Sequence, residues 1–299
     1  MPAGAVGARA AIRCPRMATG EALKRLVWRA LSRLPEFRIT RRTRHGVLGF
    51  SSRDRGVGRI LFMRGEYEYE QLERAVALGG FPSRGRGWLL DVGANVGTVC
   101  IALARRGAFA RALAVEPAPD TFRHLVKNVA RNRLGDAIRC VNAALSATDG
   151  TAELELSTNS GDRRVRVAGP LAAEQYHEHT RPLIRVPVRR LDDLLDEHGI
   201  ARGDVGLLWM DVQGHEQHVL DGAPKLLASG VPLVVELWPY GLRRAGVEPE
   251  AFADYLGARF RSYYDLGQAA PIARPTAELP ASLGPLVSYK SFTDLLLVP

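Results

Sequence analysis

The sequence predicts an α/β fold built on a mostly parallel, Rossmann-like sheet with helices on both faces. Three observations carry that expectation. Apolar runs at residues 88–91, 112–116, 138–143, 207–211 and 233–237 alternate with helical patterns, the rhythm of parallel strands joined by crossover helices. The first run passes through Asp91 into Val92-Gly93-Ala94-Asn95-Val96-Gly97, a glycine turn that opens a helix. The second run ends in Glu116, 19 residues after Gly97. A strand, a glycine turn, a helix and a second strand ending in an acid form the unit that binds an adenosine moiety at strand carboxyl ends.

Residues 1–20 are rich in Ala, Gly and Arg and read as disordered. Residues 21–34 read as a basic amphipathic helix, with Leu23, Leu26, Val27, Ala30, Leu31 and Leu34 at helical spacing and Pro35 at its end. A short strand pair is expected over 46–63 and a helix over 66–78. Within the core, helices are expected over 119–131 and 217–227, and another beginning at Leu191. Between the third and fourth strands lies an insertion, residues 151–187. Its segments 152–156 and 163–167 alternate as a hairpin around Thr158-Asn159-Ser160-Gly161. Tyr176-His177-Glu178-His179 follows, on the side where ligands enter an open α/β sheet, so the insertion is expected to wall the substrate site. The last two strands are expected at 259–264 and 292–298.

The glycine turn also says which cofactor to expect. A dinucleotide fingerprint places glycine where this chain has Asn95, although Asn tolerates left-handed backbone angles. Asp91 lies two residues before Gly93, where a diphosphate would be repelled by several kcal/mol at low dielectric. A sulfonium or ammonium group would be attracted there. S-adenosylmethionine therefore suits the turn better than NAD. Gly93 would supply the turn, Gly97 the close helix contact, and Glu116 two oxygens for the ribose hydroxyls.

Five segments in order make the chain resemble the FkbM-type methyltransferases, a branch of the class I S-adenosylmethionine-dependent enzymes. They are Gly65-Glu66-Tyr67-Glu68, the glycine loop 91–97, Glu116-Pro117-Ala118-Pro119 with Asn128 and Asn132, Ala143-Ala144-Leu145-Ser146, and Asp211-Val212-Gln213-Gly214-His215-Glu216 followed by Glu236. The resemblance implies a seven-stranded sheet whose last two strands form an antiparallel edge. It also implies cofactor contacts from Asp91, Gly93, Asn95, Gly97, Glu116, Pro117, Ala144 and Asp211. The chain departs from the family at Trp209, where lysine is usual, and at Gln213, where glutamate is usual.

The chain is expected to divide into a basic arm (1–44), a lead-in segment (45–87) and a methyltransferase domain (88–299). The net charge of +9 resides in the arm, whose eleven Lys/Arg face only two acids, while the rest of the chain is balanced. A neutral body argues against a stable nucleic-acid complex. The arm suits docking on the body or weak contact of residues 21–34 with an anionic membrane surface. No run of about 18 apolar residues is present, and Arg9, Arg13 and Arg16 interrupt any leader-like stretch. Three scattered cysteines suggest no disulfide framework, so a cytoplasmic location is expected.

Methyl transfer to a hydroxyl requires alignment, exclusion of water and removal of one proton. Asp211, His215, Glu216 and Glu236 lie at or just beyond strand ends and are the candidate catalytic residues, with His215 the natural base near neutral pH. Three of them have a plainer reading: a solvated helix-start residue for His215, a helix cap for Glu216, an exposed strand-end acid for Glu236. A divalent ion held by Asp211, His215 and His218, with His177 and His179 as possible further ligands, is not favoured, because the spacing matches no zinc template. The expected activity is O-methylation of a small hydroxylated metabolite, a sugar unit or polyketide-like compound. The rivals are methylation of RNA or protein, or adenosine binding without catalysis.

Overall fold

Alternate residues of the central strands are buried on opposite faces, as strands covered by helices on both sides must be. In the strand ending at Met210, Leu208 and Met210 join one apolar cluster while Leu207 and Trp209 join the other. The structure is a computed structural model and describes residues 16–79, 87–167 and 176–299.

The chain opens with α1 (Arg16–Leu31), β1 (Arg38–Thr43), β2 (Gly46–Ser51), α2 (Val57–Arg64) and α3 (Tyr69–Leu78). The first half of the sheet follows as β3 (Trp88–Val92), α4 (Thr98–Arg105), β4 (Arg111–Val115), α5 (Pro119–Arg131) and β5 (Ile138–Val141). Next come β6 (Ala144–Leu145), just before the insertion, and then β7 (Gly150–Glu155), β8 (Arg164–Val165) and β9 (Leu183–Arg189), which the insertion supplies almost entirely. Then come α6 (Leu191–Glu197), β10 (Val205–Met210), α7 (Glu216–Asp221), α8 (Pro224–Ala228), β11 (Leu233–Leu237), α9 (Pro239–Arg244) and α10 (Pro249–Gly257). The chain closes with β12 (Ser262–Asp265), β13 (Arg274–Pro275), α11 (Leu279–Ser282) and β14 (Thr293–Val298).

The main sheet runs β13-β12-β14-β11-β10-β3-β4-β5. Strands β11, β10, β3, β4 and β5 are parallel, and β14 and β12 add the expected antiparallel edge. The sheet has eight strands rather than seven, because the two-residue β13 pairs with the outer side of β12. Strand order reverses between β3 and β10, so the connections that leave their carboxyl ends run in opposite directions and leave a crevice between them.

The lead-in differs from expectation. Its strand pair lies upstream, β1 joining β2 over six residue pairs from Arg38↔Ser51 to Thr43↔Gly46, and residues 57–64 are helical. A boundary at residue 44 therefore cuts a hairpin. Buried Asn128 ties this hairpin to α5, accepting from Gly49 N at 2.7 Å and donating to Gly49 O at 3.0 Å. The single helix expected over 217–227 is two, α7 and α8, because Pro224 at the start of α8 cannot continue α7. The 66–78 helix starts only at Tyr69, after Glu68 adopts left-handed angles with φ 50°.

The insertion is more ordered than a hairpin. Strands β6, β9, β7 and β8 form a second sheet, in which β7 pairs along six residues with β9. Pro187 hides β9 in the sequence, since proline speaks against a strand flanked on both sides. Of the disorder expected over residues 1–20, residues 1–15 lie outside the described residues, whereas residues 16–20 already belong to α1, which ends at Leu31 rather than Leu34.

Candidate active site

The glycine loop takes the shape its residues allow. Gly93, Asn95 and Gly97 all have positive φ, at 84°, 50° and 92°. A Cβ on Gly93 would lie 1.9 Å from the Asp211 carbonyl oxygen, so only glycine lets β3 and β10 end so close together. Asp91 turns away from the crevice. Its buried carboxylate accepts from Cys100 N at 2.9 Å, satisfying a free N–H in the first turn of α4. Burial raises its pKa to about 6 against the opposing Cys100 bonds. The carboxylate invoked to attract a sulfonium thus caps a helix.

Glu116 does face the crevice. Its oxygens accept from Asn95 N at 3.0 Å and Ala118 N at 2.9 Å, and burial pushes its pKa up to about 7. Asn142, which the sequence did not flag, donates to Glu116 O and Pro117 O and fixes this strand end. Gly93, Asn95, Glu116, Pro117, Ala144 and Asp211 line one cleft of about 580 Å³, walled by Val92, Val115, Leu145 and Leu154. Gly97 lies below it, where a Cβ would meet Ile101 at 2.8 Å.

A second cavity lies alongside, lined by Tyr67, Asn159, Asp162, Tyr176, Glu236 and Lys290. Gln213 and Gly161 line both. The Gln213 amide donates to Asp211 Oδ1 at 2.6 Å and to Glu236 Oε2 at 3.2 Å. Burial raises both carboxyl pKa values, and for Glu236 the neighbouring Asp211, Glu216, Asp294 and Glu68 raise it further. Glutamate at 213 would add another negative charge to this group, whereas the neutral amide bridges it. Trp209, the other departure from the family, is 6% exposed in the apolar core, where a lysine would lack water.

The remaining catalytic candidates are not gathered here. Glu216 bends back, its Oε1 accepting from Val212 N at 3.2 Å and Gly214 N at 3.1 Å, so it braces the turn after β10. His215 reaches the cofactor cleft but is buried, with Nε2 3.0 Å from Ser146 Oγ and its ring 4.4 Å from that of His218. Burial, then His218, lowers its pKa to about 3, so it stays neutral and only weakly basic. Among the described residues no three His, Cys, Asp or Glu side chains converge as metal ligands.

The insertion reaches the site through the tip of its β7–β8 hairpin, residues 157–162. Asp54, 6% exposed, clasps that tip: Oδ1 accepts from Ser160 N at 3.1 Å and Oδ2 from Ser160 Oγ at 2.7 Å. The same carboxylate accepts from Gly56 N and Gly58 N, and Arg55 N donates to Thr158 O at 2.7 Å. Ser160 Oγ also lies 3.2 Å from Asn95 Oδ1 in the glycine loop. Arg163 grips Asp120 with two bonds of 2.6 and 2.9 Å. Although burial raises the Asp120 pKa, Arg163 holds it below the usual range. Behind the tip, buried Arg164 and Arg244 pack among Glu155 and Glu178, and Tyr240 donates to Glu178, joining the insertion to α9.

These features fit S-adenosylmethionine. Glu116 presents a buried acceptor at the second strand end, small or apolar side chains flank the cleft, and the glycine turn leaves room that a Cβ would fill. Comparison with known proteins agrees. Residues 91–256 match the Methyltransferase FkbM domain. The chain is 31% identical over 180 residues to methyltransferase sdnD of Sordaria araneosa, a match covering 52% of this chain and 68% of that protein. It is 30% identical over 164 residues to hexuronic acid methyltransferase AglP of Haloferax volcanii, covering 54% and 58% respectively. Identity to 2-O-methyltransferase NoeI of Sinorhizobium fredii is 27% over 148 residues, covering 47% and 59%. The chain thus spans less than two thirds of the length of the latter two relatives. With the domain match extending over more than half of its length, the chain belongs to the FkbM methyltransferase family of S-adenosylmethionine-dependent enzymes.

Proposed function

We propose that this protein methylates a hydroxyl group of a small hydroxylated metabolite, a sugar unit or a polyketide-like compound. One observation carries the reading: Gln213 and Gly161 border both cavities, so a donor in the first meets an acceptor in the second at Gln213. When bound, S-adenosylmethionine supplies a methyl group already activated on a sulfonium. Glu116 receives the ribose hydroxyls, and the glycine loop carries the rest of the cofactor. Glu236 opens into the acceptor cavity and, in its ionised form, takes the hydroxyl proton. Asp211, tied to Glu236 through Gln213, aligns that carboxylate. His215 acts in packing the cleft floor rather than as the base.

No divalent ion enters this reading, since the N–H donor of Gln213 occupies the space between Asp211 and Glu236. The names of two relatives, a hexuronic acid methyltransferase and a 2-O-methyltransferase, support an oxygen acceptor on a sugar. A cytoplasmic location accords with Cys100 and Cys140 being free thiols among the described residues. The test is a screen with methyl-labelled cofactor against hydroxylated metabolites, RNA and protein. Label in an ether product, with turnover lost in Glu236→Gln, supports the reading. An N-methylated product overturns it.

A further inference from the structure

Helix α1 carries its apolar stripe on the outside. Trp28 is the anchoring residue: it is 4% exposed and its ring lies 5.2 Å from that of Phe62 in α2. Lys24 Nζ adds a bond to Met63 O at 3.1 Å. Leu23, Leu26 and Val27 lie within about one turn of one another on another side and are 60%, 60% and 40% exposed. Leu34 and Phe37 extend this surface past the helix end, at 50% and 38%. Half of the ten large apolar side chains exposed among the described residues thus fall within residues 23–37.

The surroundings of this stripe are basic. Lys24 lies on one flank and Arg25, Arg29 and Arg33 on the other, all exposed, and Arg53 reaches across to Leu34 O at 3.0 Å. Of these cations only Arg25 has an acidic partner among the described residues, Glu21 at 3.3 Å. An apolar stripe bordered by cations fits a surface that is apolar inside and anionic outside. A second copy of the helix would bring like charges together across a symmetric contact. From this geometry we infer that residues 20–37 form a docking surface for an anionic lipid bilayer. Leu23, Leu26, Val27 and Leu34 enter the acyl boundary while the arginines lie among the headgroups. A single helix of this kind binds weakly and reversibly.

The test is sedimentation of the full chain with phosphatidylcholine vesicles, with and without phosphatidylglycerol. Binding is expected only with phosphatidylglycerol and should be released by salt. Neutralising Arg29 and Arg33 with glutamine should weaken it by about fivefold per charge, from about 1 kcal/mol per residue. Leu23→Ser with Leu26→Ser should abolish it while the melting temperature and Trp28 burial stay unchanged, because both leucines already face water. Equal sedimentation of wild type and the leucine variant overturns the inference. So does a wild-type chain that stays in the supernatant with both vesicle types, or concentration-dependent dimers that the leucine variant loses.

Discussion

Ser160→Ala isolates the clasp that holds the insertion over the cofactor cleft. The hydroxyl has a single proton, and the shorter contact, 2.7 Å to the Asp54 carboxylate, receives it. A hydrogen bond to a buried charge contributes about 2 kcal/mol, so its loss should favour opening of the 157–162 tip by about thirtyfold. The tip is not freed entirely, because Ser160 N to Asp54, Arg55 N to Thr158 O and the Arg163–Asp120 pair remain. Hydrogen exchange followed by mass spectrometry should show faster exchange at residues 157–162 alone. Calorimetry should show weaker binding of S-adenosylhomocysteine, by up to about thirtyfold if only the closed tip binds it. Asp54→Asn should produce both effects and some loss of stability, since Gly58 N, now 2.8 Å from Oδ2, would face an NH2 group. Combining the two changes should cost little more than Asp54→Asn alone, because they break one contact. Ser160→Thr retains the hydroxyl and should restore slow exchange. If Ser160→Ala exchanges like wild type while remaining folded, the clasp has no role in closing the site.

Three further outcomes are expected. With the Glu116 pKa near 7, the carboxylate ionises between about pH 6 and 8, so S-adenosylhomocysteine affinity should rise over that range and the rise should vanish in Glu116→Gln; titration calorimetry at several pH values measures it. The thermal stability of the ligand-free protein should fall between about pH 6.5 and 7.5 and level off above that. Asp91, Glu116 and Glu216 have folded pKa values raised to about 6, 7 and 7, so their stabilisation is full at low pH and lost as they ionise. His45 and His215, lowered to about 4 and 3, act oppositely, but their contribution is complete above about pH 6.5, and Glu216→Gln should flatten the fall. Gly93→Ala should destabilise the protein by more than about 1 kcal/mol and remove cofactor binding, because the position needs positive φ and its Cβ would strike the Asp211 carbonyl; chemical denaturation and calorimetry check the two effects.

The sequence by itself determined the sheet and the cofactor loop. Apolar runs buried on both faces become central strands, and Gly93, Asn95 and Gly97 supply backbone angles that few residues adopt, so neighbouring residues suffice to predict both. Glu116 and Asp211 were legible for the same reason: a strand end fixes where its last side chain emerges. Tertiary structure decided what the other acids and histidines do. Asp91 and Glu216 are strand-end and helix-start acids like their neighbours, yet backbone N–H groups of adjoining turns claim them. His215 lies buried beside Ser146, far earlier in the chain, and that burial lowers its basicity. The clasp joins Asp54 to Ser160 across 106 residues, and the β1–β2 hairpin crosses the boundary that charge composition had drawn at residue 44. Helical periodicity located the stripe of α1, but only the packing of Trp28 on Phe62 decided that the stripe faces outward. Local patterns fix backbone path, whereas the charge state and contacts of a side chain depend on whatever distant residues the fold brings beside it.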